Sequence, residues 1–70
     1  MVGKREEFFA LMAKIQKTKA WREMALTNKK FATMIGVTES TLYRWMRAES
    51  EVPLTVIYLL RLMLKDFKRA

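Results

Sequence analysis

TNKKFATMIGVTESTLYRW, residues Thr27 to Trp45, holds two threonine helix starts with a single glycine between them. Thr27 has the short hydroxyl side chain that satisfies the unpaired amides at a helix start, and Thr38 repeats that signal further on. Between them Phe31, Ala32 and Ile35 recur at helical spacing as a buried stripe, and Gly36 is placed to end that helix as a left-handed cap. The small residue at Ala32 lets a second helix cross closely. Gly36 permits the backbone turn without a side-chain clash, and Val37 plugs the corner. Leu42 and Trp45 then anchor the second helix against the first.

That arrangement is what a helix-turn-helix requires: a tight crossing that leaves one helix face projecting outward. The second helix divides by phase at about 100° per residue. Leu42, Trp45 and Met46 fall on one side with Thr41 beside them, and Glu39 in the first turn suits the helix dipole. Glu39, Ser40, Tyr43, Arg44 and Arg47 occupy an arc of roughly 140° on the other side. The chemistry of that arc suits the major groove of DNA. Arg44 can donate two hydrogen bonds to guanine and Glu39 can accept from cytosine. Ser40 can pair with several base edges, and Tyr43 can reach a phosphate or a thymine methyl.

The segment TNKKFATMIGVTESTLYRWMRAESEVPLTVIYLLRLM resembles the helix-turn-helix of Cro-like (Xre-type) repressors, over Leu26 to about Met63. It shares a polar helix start, an alanine, an apolar-glycine-apolar turn, a capped recognition helix and a later proline-led helix. The resemblance implies an all-α, lambda-repressor-like bundle of about five helices, spanning 1–70 as one domain with its motif at 27–47. It also implies that base-reading positions fall on Glu39, Ser40, Tyr43 and Arg44, and a phosphate contact on Asn28. Lys29, Lys30, Thr38 and Arg47 are the further backbone contacts expected beside it. Two departures concern the loops. Met46, Arg47 and Ala48 stand where many members have a glutamate followed by residue-glycine, and Ala25 stands where a glycine is common. The apolar end of the segment also resembles compact regulators of phages and mobile elements, including anti-CRISPR-associated autorepressors.

Composition points the same way. The 70 residues suffice for one small domain, near the lower limit for an independent core, and about half of them are apolar. Fourteen Lys and Arg against seven Asp and Glu give a formal charge of +7, which favours a polyanionic partner. Cysteine and histidine are both absent, so there is no disulfide framework and no thiolate or imidazole metal site. No nucleophile–base pair can be assembled either. The sequence therefore implies a non-enzymatic protein with no cofactor and no evident small-molecule ligand. RNA is disfavoured because adjacent exposed aromatics that would stack bases are not evident. No stretch resembles a signal peptide or a membrane span, and a bacterial or phage-infected cytoplasm is the expected compartment.

Outside the motif, Phe8, Leu11, Met12 and Ile15 form an amphipathic stripe from Arg5 to about Gln16. Trp21 and Met24 break its phase, predicting an interruption within Gln16–Lys19 and a short helix after it. Pro53 is placed to start a last helix over 53–68 that is apolar nearly all round. On it Val56, Ile57, Leu60, Leu64 and Phe67 form one stripe, with Tyr58, Leu59, Leu62 and Met63 partly off it. The simple reading makes this helix the central core element. The sharper one gives it a homodimer interface, provisionally at Val56, Ile57, Leu60, Leu64 and Phe67, joined by Phe8, Phe9 and Met12. A dimer suits a palindromic operator, because one recognition helix reads too few base pairs to specify a site. The expected function is a dimeric, autoregulatory repressor on double-stranded DNA. The rival is an antitoxin-like or adaptor module whose basic surface meets an acidic protein.

Overall fold

The computed structural model describes residues 3–69, and these form five α-helices with no strand among them. They are α1 (Lys4–Gln16), α2 (Lys19–Glu23), α3 (Asn28–Met34), α4 (Glu39–Met46) and α5 (Leu54–Arg69). Residues 1, 2 and 70 of the expected 1–70 domain lie outside the described residues. The interruption expected after Gln16 is present. Thr18 makes it: its hydroxyl donates to the Ile15 carbonyl at 2.7 Å, and the same oxygen accepts from the Trp21 amide at 3.2 Å. One side chain thus serves the end of α1 and the start of α2.

Thr27 and Thr38 cap α3 and α4 in the same way, accepting from the amides of Lys30 and Thr41, both at 3.2 Å. The exits repeat as consistently. After α3, the Val37 amide donates to the Ala32 carbonyl (2.9 Å) and the Gly36 amide to that of Thr33 (3.1 Å), with Gly36 at φ 82°. These paired bonds close a helix through one left-handed residue. After α2, Leu26 donates to Trp21 and Ala25 to Arg22, both at 3.1 Å. After α4, Glu49 donates to Arg44 (2.8 Å) and Ala48 to Trp45 (3.2 Å). Ala25 at φ 51° and Ala48 at φ 63° hold the left-handed position in these two closures. The alanines that depart from the family's glycines therefore keep the glycine conformation, against the Cβ–carbonyl clash that disfavours it.

The core is built where α1 lies across α5, with α2 also on α5 and α3 packed on α4. Phe8, Leu11, Met12 and Ile15 of α1 are buried together with Val56, Ile57, Leu60 and Leu64 of α5. Phe31, Ala32, Leu42 and Trp45 join them from the motif. Trp45 is 4% exposed and meets Phe8 edge-on, ring centroids 6.0 Å apart at 79°. Trp21 packs over Phe31 at 5.4 Å. No polar or charged residue is buried among those described. On the surface, Arg61 is paired with Glu7 between α5 and α1.

This packing already occupies most residues of the provisional dimer surface within one protomer. Val56, Ile57, Leu60 and Leu64 are buried within one protomer, and Phe67 is half-buried against the same core. Phe8 and Met12 are buried as well, whereas Phe9 is 40% exposed. In so small a domain, α1 needs that whole stripe of α5 to bury its own apolar face. The apolar residues of α5 that face solvent are Leu54, Tyr58, Leu59 and Leu62.

The three helix closures generate a stability prediction. A left-handed L-residue costs about 1–2 kcal/mol, partly offset by the extra chain entropy that glycine loses on folding. Ala25→Gly and Ala48→Gly are each expected to stabilise by about 1 kcal/mol, raising Tm by roughly 4–8 °C in a domain this size. Gly36→Ala is expected to do the reverse. Nothing lies within 4 Å of a Cβ added at Gly36, so its cost is conformational rather than steric. Thermal melts of the three variants check this; an unchanged Tm for both Ala25→Gly and Ala48→Gly would contradict it.

Candidate nucleic-acid interface

The α3–turn–α4 unit turns one face of α4 away from the core. Leu42 and Trp45 are buried, and Thr41 and Met46 are half-buried beside them. Ser40, Tyr43, Arg44 and Arg47 are exposed, and Glu39 is half-buried at the edge of the same arc. The division expected from helical phase is therefore the one observed. Burying a tryptophan is worth several kcal/mol, comparable with the whole stability of a domain this size. Trp45 belongs to the framework, and its neighbours carry the outward chemistry.

Within the arc, the Tyr43 hydroxyl donates to Glu39 Oε2 at 3.2 Å, one helical turn apart. The carboxylate is thereby held against its own helix, with its second oxygen unbonded among the described residues. Arg44 and Arg47 extend from successive turns, their five-donor guanidinium groups paired with no carboxylate among the described residues. The ion pairs among the described residues are Lys4–Glu51 (3.8 Å), Lys19–Glu23 (3.5 Å) and Arg61–Glu7. None of them involves a cation of α3 or α4. With Arg44 and Arg47 against the single carboxylate of Glu39, the outward face of the motif keeps a net positive charge.

At the start of α3, Lys29 and Lys30 are exposed and Asn28 is half-buried. Lys30 Nζ donates to the Ala25 carbonyl at 3.3 Å, which ties it to the α2–α3 loop while leaving two ammonium protons for another acceptor. Asn28 Oδ1 accepts from Gln16 Nε2 of α1 at 3.4 Å. Thr38, besides capping α4, shares a hydrogen bond with the Thr41 hydroxyl at 2.9 Å. When Thr41 is the donor, the Thr38 proton is left to point outward.

Two parts of this surface were not drawn from the sequence. One is the Glu39–Tyr43 pair, although its spacing of four residues on a helix is a sufficient signal. The other is Gln16, the polar residue that continues the Phe8–Met12 column at the border of the buried stripe. A solvent-open groove between the start of α1 and residues 48–52 contains no residue of α3 or α4. No helix among the described residues is long and apolar enough to cross a membrane.

A convex helix face with paired-donor arginines, a held carboxylate and flanking lysines is suited to a base-lined groove bordered by phosphates. Comparison with known proteins bears on the same unit. A family model described as helix-turn-helix matches residues 19–64, which takes in α2 to most of α5 and leaves α1 outside. No curated protein and no solved structure matches the chain. The match covers well over half of the sequence, and with the geometry above it places the protein plainly: the chain belongs to the Cro/C1-type helix-turn-helix family of DNA-binding regulators.

Proposed function

We propose that the protein is a transcriptional repressor that binds a palindromic operator as a homodimer and excludes polymerase from the promoter, its own included. The observation that carries this reading is the outward arc of α4, with Ser40, Tyr43, Arg44 and Arg47 exposed and no acidic partner for either arginine among the described residues. The reading unit is the motif at 27–47, and the last helix serves the core and, through its outer side, the dimer. The setting is the cytoplasm of a bacterium, in keeping with a compact autorepressor of the phage or mobile-element kind. The protein performs no reaction on the DNA and needs no cofactor.

In this mechanism α4 enters the major groove. Arg44 bonds guanine O6 and N7 together, and Glu39 accepts from the cytosine amino group with the oxygen that Tyr43 leaves open. Ser40 and Tyr43 complete the readout at neighbouring edges. Asn28, Lys29, Lys30, Thr38 and Arg47 contact phosphates and set the register of the helix. Two copies reading half-sites about one helical turn apart, roughly 34 Å, supply the sequence length that one α4 lacks.

The surface that fits a second copy is the outer side of α5. Leu54, Tyr58 and Leu62 recur at every fourth position there, 50%, 52% and 62% exposed, with Leu59 alongside. A soluble domain gains by covering such a row, and on DNA the two-fold axis would orient both motifs toward one duplex face.

Two predictions follow the division between reading and positioning. On an operator selected from a random DNA pool, Arg44→Ala is expected to cost about 1–3 kcal/mol and to relax preference at one base pair. Lys29→Ala should weaken operator and unrelated DNA equally, lowering the salt slope by about 0.9. Retained base preference in Arg44→Ala would remove direct readout by that residue. For the dimer, Leu62→Glu is expected to leave the circular dichroism unchanged, convert the sedimenting species to monomer and abolish preference for two-fold sites. Selected sites without two-fold symmetry would contradict the dimer.

A further inference from the structure

A side-chain hydrogen bond joins α1, which lies outside the family match, to the start of α3. Gln16, in the last turn of α1, donates from Nε2 to Oδ1 of Asn28, the first residue of α3. Both side chains are half-buried, so the bond is partly shielded from competing water. Gln16 is held on either side. Ile15 is fully buried in the core, and Thr18 locks the α1–α2 joint by its two hydrogen bonds. The glutamine therefore projects from a fixed platform rather than from a mobile helix end.

We propose that Gln16 is a positioning residue for DNA-backbone binding: it fixes the Asn28 carboxamide with its NH2 group turned outward to donate to a phosphate. This rests on the proposed phosphate role of Asn28. The reason is the two-sidedness of an amide. A carboxamide can present either its oxygen or its nitrogen by rotation about one bond, and only the nitrogen can donate to a phosphate oxygen. With Oδ1 occupied by Gln16, the Asn28 nitrogen is the end left to the outside. Without Gln16, the donor orientation is one of several, and apparent affinity falls in proportion to its population. The α1 helix thus does more than complete the core beneath α4. It sets the direction of a polar contact at the edge of the motif.

The experiment is a double-mutant cycle of Gln16→Ala and Asn28→Ala, read as affinity for a selected operator and for an unrelated duplex, with Tm measured on every variant. Gln16→Ala is expected to weaken both duplexes by the same factor, about three- to tenfold. Because both residues are neutral, that factor should not change between low and moderate salt. The double variant should bind no more weakly than Asn28→Ala alone. Gln16→Glu, which keeps the length but can only accept, is expected to weaken binding more than Gln16→Ala does. Its carboxylate would attract the Asn28 NH2 group inward and repel the phosphate.

Wild-type affinity in Gln16→Ala alongside a clear loss in Asn28→Ala would overturn this proposal and leave the phosphate role of Asn28 standing. Wild-type affinity in Asn28→Ala would remove that role and the proposal with it. A Gln16→Ala loss that persists undiminished in the Asn28→Ala background, or that tracks a fall in Tm, would also overturn it. The first of those would show direct contact, the second a merely structural tie.

Discussion

The left-handed closure at Gly36 sets the relation between α3 and α4, and the presentation of the outward face of α4 depends on it. Two amides, from Gly36 and Val37, return to the carbonyls of Thr33 and Ala32, so the chain leaves α3 in one direction only. Thr38 then starts α4 within two residues of the glycine. With so little chain between the helices, their crossing is set by the turn and by the small side chain at Ala32. A loop with more freedom would leave the outward arc of α4 without a fixed aim. Packing completes the definition: Leu42 and Trp45 are buried, and Phe8 from α1 meets the Trp45 ring edge-on.

Most of this architecture was legible in the residues, because its determinants are local. Thr18, Thr27 and Thr38 cap helices through bonds spanning three residues, and the stripe of α4 follows from phase alone. The places where the reading fell short are those where distant segments decide. Val56, Ile57, Leu60 and Leu64 are a good apolar surface on paper. Only the docking of α1 shows that this surface is already covered, leaving Leu54, Tyr58, Leu59 and Leu62 outside. Ala25 and Ala48 illustrate a different limit. Alanine gives no hint of a left-handed conformation, yet both residues adopt one because the paired carbonyl bonds of the preceding helix require it. The Gln16–Asn28 bond joins residues twelve apart in the chain, beyond the reach of any helical periodicity.

For the proposed site, which residues face outward was legible because it follows from helical phase, and their chemistry on DNA is what their types suggest. The structure adds their mutual restraint. Glu39 is held by Tyr43 rather than left as an independent carboxylate, and Lys30 is drawn back toward the Ala25 carbonyl. On the proposed reading, these bonds would lower the number of conformations lost on binding and favour affinity without adding a contact. The charge pattern acts over longer range. Glu7, Glu23 and Glu51 are engaged with Arg61, Lys19 and Lys4, away from the motif, and on α3 and α4 the cations Lys29, Lys30 and Arg44 outnumber the one carboxylate, Glu39. A surface with such an excess of positive charge attracts a polyanion.

The central claim is that DNA meets this protein through the outward arc of α4 and the start of α3. Backbone amide chemical shifts, followed by NMR while a duplex carrying a selected site is titrated in, test it most directly. The account predicts the largest changes at Glu39, Ser40, Tyr43 and Arg44 of α4, with a second group at Asn28, Lys29 and Lys30. Shifts concentrated instead on Tyr58, Leu59 and Leu62, with the α4 amides unmoved, would contradict it.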